Sequence, residues 1–587
     1  MPPDALLRRA LRALPLAFAA CLVASNAAAQ GASTTDPRAT LKPGWKDPGV
    51  AAAGLRVVST AWKPDGMLNA ANLGDFGFLN SDLAFSGKYV FQGNFNGFQI
   101  WDASDLKNLK LTTLYRCPGG QGDLSVWGKL LFMSVEETRG RVDCAPGGVK
   151  DTVSAERFRG VRIFDITDIE HPKLITQVQT CRGSHTHTLV EDPKDKGVIY
   201  VYVQGTSVVR SPNELAGCSG AAPDKDPNSS LFRIEIIRVP LANPADAKVV
   251  NAPRIFADST GKIAGLWQGG AHGEGTQNTS QTNQCHDITV YPAIGLAAGA
   301  CSGNGIILDI KDPANPKRIA EAMDPNFAYW HSANFSNDGS KVVFTDEWGG
   351  GTAPRCRVTD KMTWGADAVF SLKGRALTLG GYYKIPAAQT NSENCVAHNG
   401  SIIPVPGRDI MAQGWYQGGV SVFDFSDPAH AREIAYFDRG PVNADTLYTG
   451  GSWAAYWHNG YLYSTEIARG LDVLELTPSE FLSQNEIDAA KLVWHDVNNP
   501  QNQMKNVWPA QPVVARAYLD QLVRGKGLSA ARTSAIGAAI DAAEKASGAA
   551  RKSAYAKLAK DLAADAKSAG DAVRVKALAE VVGALAK

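Results

Sequence analysis

Short runs in which apolar and small or polar residues alternate recur along most of the chain, the clearest of them closed by an Asp and a turn. In residues 419–428, GVSVFDFSDP, Val420, Val422 and Asp424 share one face while Ser421 and Phe423 take the other. Pro428 cannot donate to a ladder, so the strand stops before it. The figure returns as GFQIWDASD (97–105), GVRIFDITD (160–168) and NGIILDIKDPANP (304–316). Weaker copies are FRIEIIRVPLANP (232–244), AVFSLKG (368–374) and GLDVLELTP (470–478). Seven copies spaced about 50 to 75 residues apart form the pattern of a radial β repeat.

Flanking period-2 runs complete four strands per copy. They fall at 81–85, 89–92, 97–101 and 109–115 in the first copy, and at 123–126, 130–134, 161–165 and 174–178 in the second. The sixth reads 398–403, 409–413, 420–424 and 433–437. The seventh supplies only 453–457, 461–465 and 471–476, while LRVVSTAW (55–62) stands alone ahead of the first copy. Closing a ring removes unpaired strand edges. The fold expected is therefore all-β: a seven-bladed β-propeller over 50–478, closed by its N-terminal strand.

The pattern changes after Pro478. Residues 479–508 read as a connector, and Ala-rich segments follow at 512–524, 529–547, 549–568 and 571–586, with apolar residues at helical spacing such as Tyr555, Leu558 and Leu562. This predicts a C-terminal α-helical segment over 509–587, a bundle or a tail. It carries 13 Lys and Arg against 7 Asp and Glu, a net +6. A solvated basic face is the ordinary meaning of such a run; contact with an anionic envelope surface or partner is the functional one.

At the other end, Arg8, Arg9 and Arg12 precede an apolar run to Ala24 and then Ala27-Ala28-Ala29, the layout of a secretory signal over 1–29 with a linker at 30–49. Phe18-Ala19-Ala20-Cys21 loosely resembles a lipoprotein box, but Leu22 and Val23 carry the apolar run past it. No other stretch is apolar enough to span a bilayer, so the address expected is extracytoplasmic: periplasmic, secreted or cell-surface. Eight Cys remain after the signal, an even number that predicts disulfides in an exported chain. Neighbour pairing is the simplest scheme, with Cys285–Cys301 and Cys356–Cys395 favoured. No CxxC pair offers a zinc ribbon. Without the signal the charge falls to 56 basic against 57 acidic residues, and nothing calls for nucleic acid.

The units SDLAFSGKYVFQG, GVRIFDITDIEHP and GVSVFDFSDP resemble those of the LVIVD-repeat proteins, exported bacterial and archaeal β-propellers. The resemblance covers roughly residues 50–478. It implies a propeller and an extracytoplasmic address, and supplies no agreed activity.

In a propeller the innermost strands line the axial channel. Aligning the seven inner-strand starts gives Asp82, Asp123, His187, His286, His331, His398 and Trp453. Four consecutive blades thus carry His at one station, in a chain with ten His in all. Converging imidazoles suit Cu, Fe or Zn. His185, two residues before His187, is a further candidate ligand. Glu136, Glu137, Asp346, Glu347, Glu393 and Glu466 are acids placed to support ligands, with Asp82 and Asp123 on the rim. The competing reading is a set of His and Asp braces between blades. Long insertions at 136–159, 205–230, 257–284 and 346–366 favour one face, and Trp267, Trp348 and Trp364 could wall a pocket there. No nucleophile elbow, Walker or dinucleotide fingerprint occurs. Two functions follow: a metalloprotein of oxidoreductase type, similar in layout to propeller enzymes holding iron or copper with inner-strand histidines, or a non-catalytic scaffold presenting its loop-rich face to a small molecule, peptide or glycan.

Overall fold

A computed structural model describes residues 31–587; the secretory signal expected over 1–29 lies outside them. Four-stranded antiparallel meanders dominate. The first is Asn80–Ser86, Tyr89–Asn94, Gly97–Asp102 and Lys110–Arg116, and the second Leu124–Trp127, Leu130–Val135, Gly160–Asp165 and Lys173–Gln179. Further meanders start at His187–Glu191, Asp287–Tyr291 and Trp330–Phe335. Those starting at Asn399–Ile403 and Ser452–His458 merge into one nine-stranded sheet through a short parallel pairing, Asn399↔Ala454.

Alternation makes each strand two-sided, and in the first three strands of a meander both sides are largely buried because each meander stacks on the next, while the fourth strands stay partly exposed. Ile163, Val201 and Ile237 pack in one such layer; Tyr202, Ile288 and Ile306 pack in the following one. Each fully buried Ile or Val contributes roughly 2 kcal/mol. The last cluster joins Tyr463 and Val473 of the final meander to Phe85 and Trp101 of the first.

Leu55–Trp62 pairs antiparallel with Gly470–Leu476, from Leu55↔Leu476 to Trp62↔Gly470, supplying the strand that the seventh repeat lacks. Just ahead of it, Val50–Ala53 pairs with Arg432–Arg439 of the neighbouring meander, a strand that the sequence pattern did not separate. Gly54 joins the two at φ 68°, and a Cβ there would stand 2.7 Å from the Ala435 methyl, so the crossing requires glycine. Farther upstream, buried Arg38 bonds to Asp36 (2.9 Å) and Glu433 (2.7 Å), fixing part of the expected linker against the sheet.

The connector is more than a spacer. After a capped helix, Gln484–Ala490, the chain runs along the C-terminal ends of the inner strands. Val497–Asn498 pairs with Phe85 and Ser86; the Asn499 carboxamide bonds both backbone groups of Val126 (2.7 and 2.9 Å). Gln503 does the same to Phe335 (2.9 and 2.8 Å), and between them the Val290 N–H donates to the Gln501 carbonyl (2.8 Å). Four helices follow, Pro512–Arg524, Ala530–Lys545, Gly548–Asp565 and Ala572–Leu585. They dock on the meanders through buried Glu486, which bonds Arg408 (2.9 Å) and Arg524 (2.6 Å). Among the described residues no helix is long and apolar enough to cross a membrane.

Four disulfides join neighbours in sequence: Cys117–Cys144, Cys181–Cys218, Cys285–Cys301 and Cys356–Cys395. Closing loops of this size is worth roughly 3 to 4 kcal/mol each in the chain-entropy model.

Two outcomes are expected. Thiol titration of denatured, unreduced protein should find essentially no free Cys, and several would contradict the pairing. Deleting residues 54–62 bares the Gly470–Leu476 edge, so the truncated protein should aggregate or melt far below the parent; equal melting would refute the role of the closing strand.

Candidate metal centre

His286, His331 and His398 come from the N-terminal ends of three successive inner strands, and His185 from the loop entering the preceding one. Their rings form a file: His185 to His286 at 4.3 Å, His286 to His331 at 3.7 Å, His331 to His398 at 4.3 Å between centroids. Two sets of three groups bring ligand atoms within 4.8 Å of one another: His286, Asp287 and His331, and His331, Glu347 and His398. His331 belongs to both.

The outer members have partners on one ring nitrogen. His398 Nδ1–H donates to the Trp453 carbonyl, His286 Nδ1–H to the Asp287 carboxylate (3.2 Å) and His185 Nδ1–H to Glu136 (2.6 Å). A carbonyl or carboxylate can only accept, so Nδ1 carries the proton and a neutral ring leaves its lone pair on Nε2. His331 differs. It is fully buried and neither Nδ1 nor Nε2 finds a hydrogen-bond partner among the described residues.

Burial, reinforced by the neighbouring imidazoles, drives His331 well below the ordinary histidine range. Burial likewise lowers His398 to about 3, against the pull of the Trp453 carbonyl. Burial also acts to lower His185, but the Glu136 charge and hydrogen bond prevail and its value is raised; Glu136 is lowered reciprocally despite its burial. Glu347 lies 3.7 Å from Nε2 of both His331 and His398 and accepts a hydrogen bond from the Tyr416 hydroxyl (2.5 Å). Its value is raised by burial, which outweighs the nearby imidazoles.

His185, His286, His398, Glu136 and Glu347 line a cavity of about 750 Å³ together with Tyr329, Trp348 and Trp453, whereas His331 lies behind that lining. The 349–351 glycines form part of its rim; Gly351 sits at φ 66° and a Cβ there would collide with the Tyr416 hydroxyl. Of the three tryptophans expected over the histidines, Trp348 lines the cavity. Trp364 packs edge-on behind Trp348 (5.2 Å), and Trp267 stacks on His272 (3.8 Å).

Other candidates lie elsewhere. His187 is fully buried with Nδ1 at 2.8 Å from Ser134 Oγ and 3.2 Å from Asp123, outside the file of rings. Asp82 and Asp123 are buried deeper in the interior, where burial and then the Asp123 charge push Asp82 up to about 8. Glu466 bonds Arg469 (3.0 Å) and the Gly451 N–H (2.8 Å); Asp346 accepts from the N–H groups of Ala328, Tyr329 and Gly365. Both brace loops rather than histidines. Sequence reasoning missed Asp287, adjacent to His286, and Tyr416, whose role depends on a contact 69 residues away in the chain.

No family model and no curated protein matches this chain, so the LVIVD-repeat resemblance stands on the repeat units alone. Among solved structures the chain is similar to a protein from Lactobacillus plantarum (12% identity, TM-score 0.37, covering 61% of this chain and 83% of that one). It is also similar to the periplasmic gluconolactonase of Pseudomonas aeruginosa (12%, 0.39, 66% and 89%) and to the hydrazine synthase of Kuenenia stuttgartiensis (10%, 0.40, 69% and 96%).

The depressed His398 value fixes a pH dependence for the metal-free protein. Between the unfolded value near 6.5 and the folded value of about 3, the unfolded chain binds a proton that the native state refuses. Stability is therefore fully present above pH ~6.5 and falls as the pH drops toward 3. Denaturant midpoints should decline across that window, and His398→Gln should flatten the decline; an unchanged slope would remove His398 from the account.

Proposed function

We propose that the chain is an exported seven-bladed β-propeller that holds a transition metal, Cu, Fe or Zn, on its axis and acts on a small molecule admitted through the cavity above. The ring reading is supported by the inner strands, which touch in cyclic order from Asn80–Ser86 round to Ser452–His458 and back to Asn80–Ser86. Export is supported by the basic-apolar leader and by four disulfides.

The observation that carries the metal is His331. A buried neutral imidazole with two unpaired nitrogens is costly, and a metal ion accepting its lone pair is a partner that the flanking His286 and His398 are placed to share. His331 is the shared ligand, His286 and His398 present Nε2 lone pairs on either side, and Glu347 supplies a carboxylate. Asp287 and the Trp453 carbonyl orient those rings in the way that outer partners usually orient metal-bound histidines. A bound metal would supply Lewis acidity or, if Cu or Fe, one-electron chemistry, making the protein an oxidoreductase.

The remaining residues prepare the cavity. His185, with its partner Glu136, keeps a proton at the wall beside the cluster. Tyr416 fixes Glu347, and Trp348 and Trp453 give the wall its apolar area. A volume of about 750 Å³ suits a small molecule better than a peptide or glycan lying across a surface.

Elemental analysis of the protein after loading with Cu, Fe or Zn should find about one transition metal per chain. His331→Ala should lose at least tenfold in metal affinity, whereas His430→Ala, in an exposed turn, should match the parent. A parent that takes up none of these metals, or a His331→Ala protein that retains full occupancy, sinks the proposal.

A further inference from the structure

The file of imidazoles has two unlike ends, and the cavity above it inherits the difference. Past His398 the rings continue as Tyr416 (4.5 Å) and Trp453 (4.8 Å between centroids), and Trp453 meets Phe95 edge-on at 6.2 Å. Phe95, Trp348 and Trp453 pack with Leu79 in a single apolar cluster, and all four line the cavity. Phe76 adds a ring to the lining and stays 51% exposed. Its short turn is pinned, with Asp75 accepting from the Gly77 N–H (2.9 Å) and from the Asn69 carboxamide (2.7 Å).

The His286 end is polar. Tyr329 stands edge-on to His286 (5.9 Å), His185 brings Glu136, and Asn278 and Ser280 add an amide and a hydroxyl to the lining. Free charge is scarce at both ends. No Lys or Arg lines the cavity; Arg355 lies over the Trp348 ring (4.1 Å) and outside the lining. An organic anion would therefore meet two carboxylates and no guanidinium or ammonium group. Each carboxylate already has a partner, Glu136 in His185 (2.6 Å) and Glu347 in the Tyr416 hydroxyl (2.5 Å), so neither waits for an organic cation. A charge moved here from water would lose its hydration for no new partner, which is costly.

We propose that the cavity admits an uncharged aromatic molecule carrying oxygen substituents, its ring at the Trp453 end of the file and a polar oxygen at the Tyr329 end. Aromatic rings pair offset-stacked or edge-to-face. Trp453 and Phe95 stand at 80° to one another, so a ring stacked on either is set near a right angle to the other. Tyr329, Asn278 and Ser280 are uncharged groups of the kind that orient a ligand in a largely apolar pocket. His286 and His398 lie between the two ends, within reach of a molecule that spans them. The inference rests on the reading of this cavity as the entrance for a small molecule, and not on the metal.

The test titrates the full mature chain, stripped with EDTA, with 4-hydroxybenzyl alcohol in a calorimeter; the same preparation reloaded with Zn²⁺ reports separately on the metal. The stripped chain should bind about one molecule of the alcohol with a Kd below about 1 mM. 4-Hydroxybenzoate and 4-hydroxybenzylamine, which add a charge of either sign, should bind about tenfold more weakly. 4-(Hydroxymethyl)cyclohexanol keeps the oxygens, loses the aromatic ring and should bind about threefold more weakly. Phe76→Ala, in a half-exposed turn, and Tyr329→Phe, which keeps its ring, should each weaken the alcohol about threefold while melting like the parent. No binding of the alcohol, equal affinity for a charged or the saturated analogue, or parental affinity in both variants overturns the proposal. Binding of the alcohol by a chain that takes up no Zn²⁺ supports it while sinking a zinc centre.

Discussion

A polar group sealed from water must be satisfied by something, and His331 is buried with no hydrogen-bond partner among the described residues. Much of the surrounding architecture maintains that condition. His286 and His398 flank the ring closely enough to oppose its protonation, yet each has its own Nδ1 partner and so cannot rotate freely to serve it. Glu347 could accept from His331, but at 3.7 Å it is held off by the hydroxyl of Tyr416, which Gly351 alone has room to accommodate.

The same logic separates bracing acids from functional ones. Asp346 and Glu466 stand at the ends of second strands, where their oxygens collect backbone N–H groups from the loop entering an inner strand. Glu136 and Glu347 stand at the corresponding end of their sheets but have imidazoles within reach. The last residue of a second strand thus braces a loop in Asp346 and Glu466, while the residue after it reaches an imidazole in Glu136 and Glu347.

That is also why the site was less legible in the sequence than the fold. Period-2 alternation located 55–62 and the strands of the first, second, sixth and seventh copies to within a residue or two, because a one-residue slip would turn every side chain to the other face. The histidine station was harder. Thr186 and Thr188 hydroxyls bond to the carbonyls of His286 and Ile288 in the next sheet, so His187 corresponds to Asp287 and not to His286. A shift of one residue turns a side chain to the opposite face, which carries His187 toward Ser134 and Asp123, while His185 lies in the loop before the strand and reaches the file from there. Spacing could supply both candidates, but only inter-strand register could choose between them. The connector was unreadable for a related reason: Asn499 and Gln503 act through carboxamides on distant backbone and Gln501 through its carboxamide on distant Asp82, a pattern with no local period.

The disulfides fall at telling positions. Cys181 lies four residues before His185, Cys285 immediately before His286 and Cys395 three before His398, so three staples anchor the segments that deliver three of the four rings. In a reduced chain those segments would lose three cross-links, and the strands and hydrogen bonds alone would hold the rings in file. For the metal proposed above, the site would be best formed after thiol oxidation. The ion would then come from the pool that exists where the cystines form.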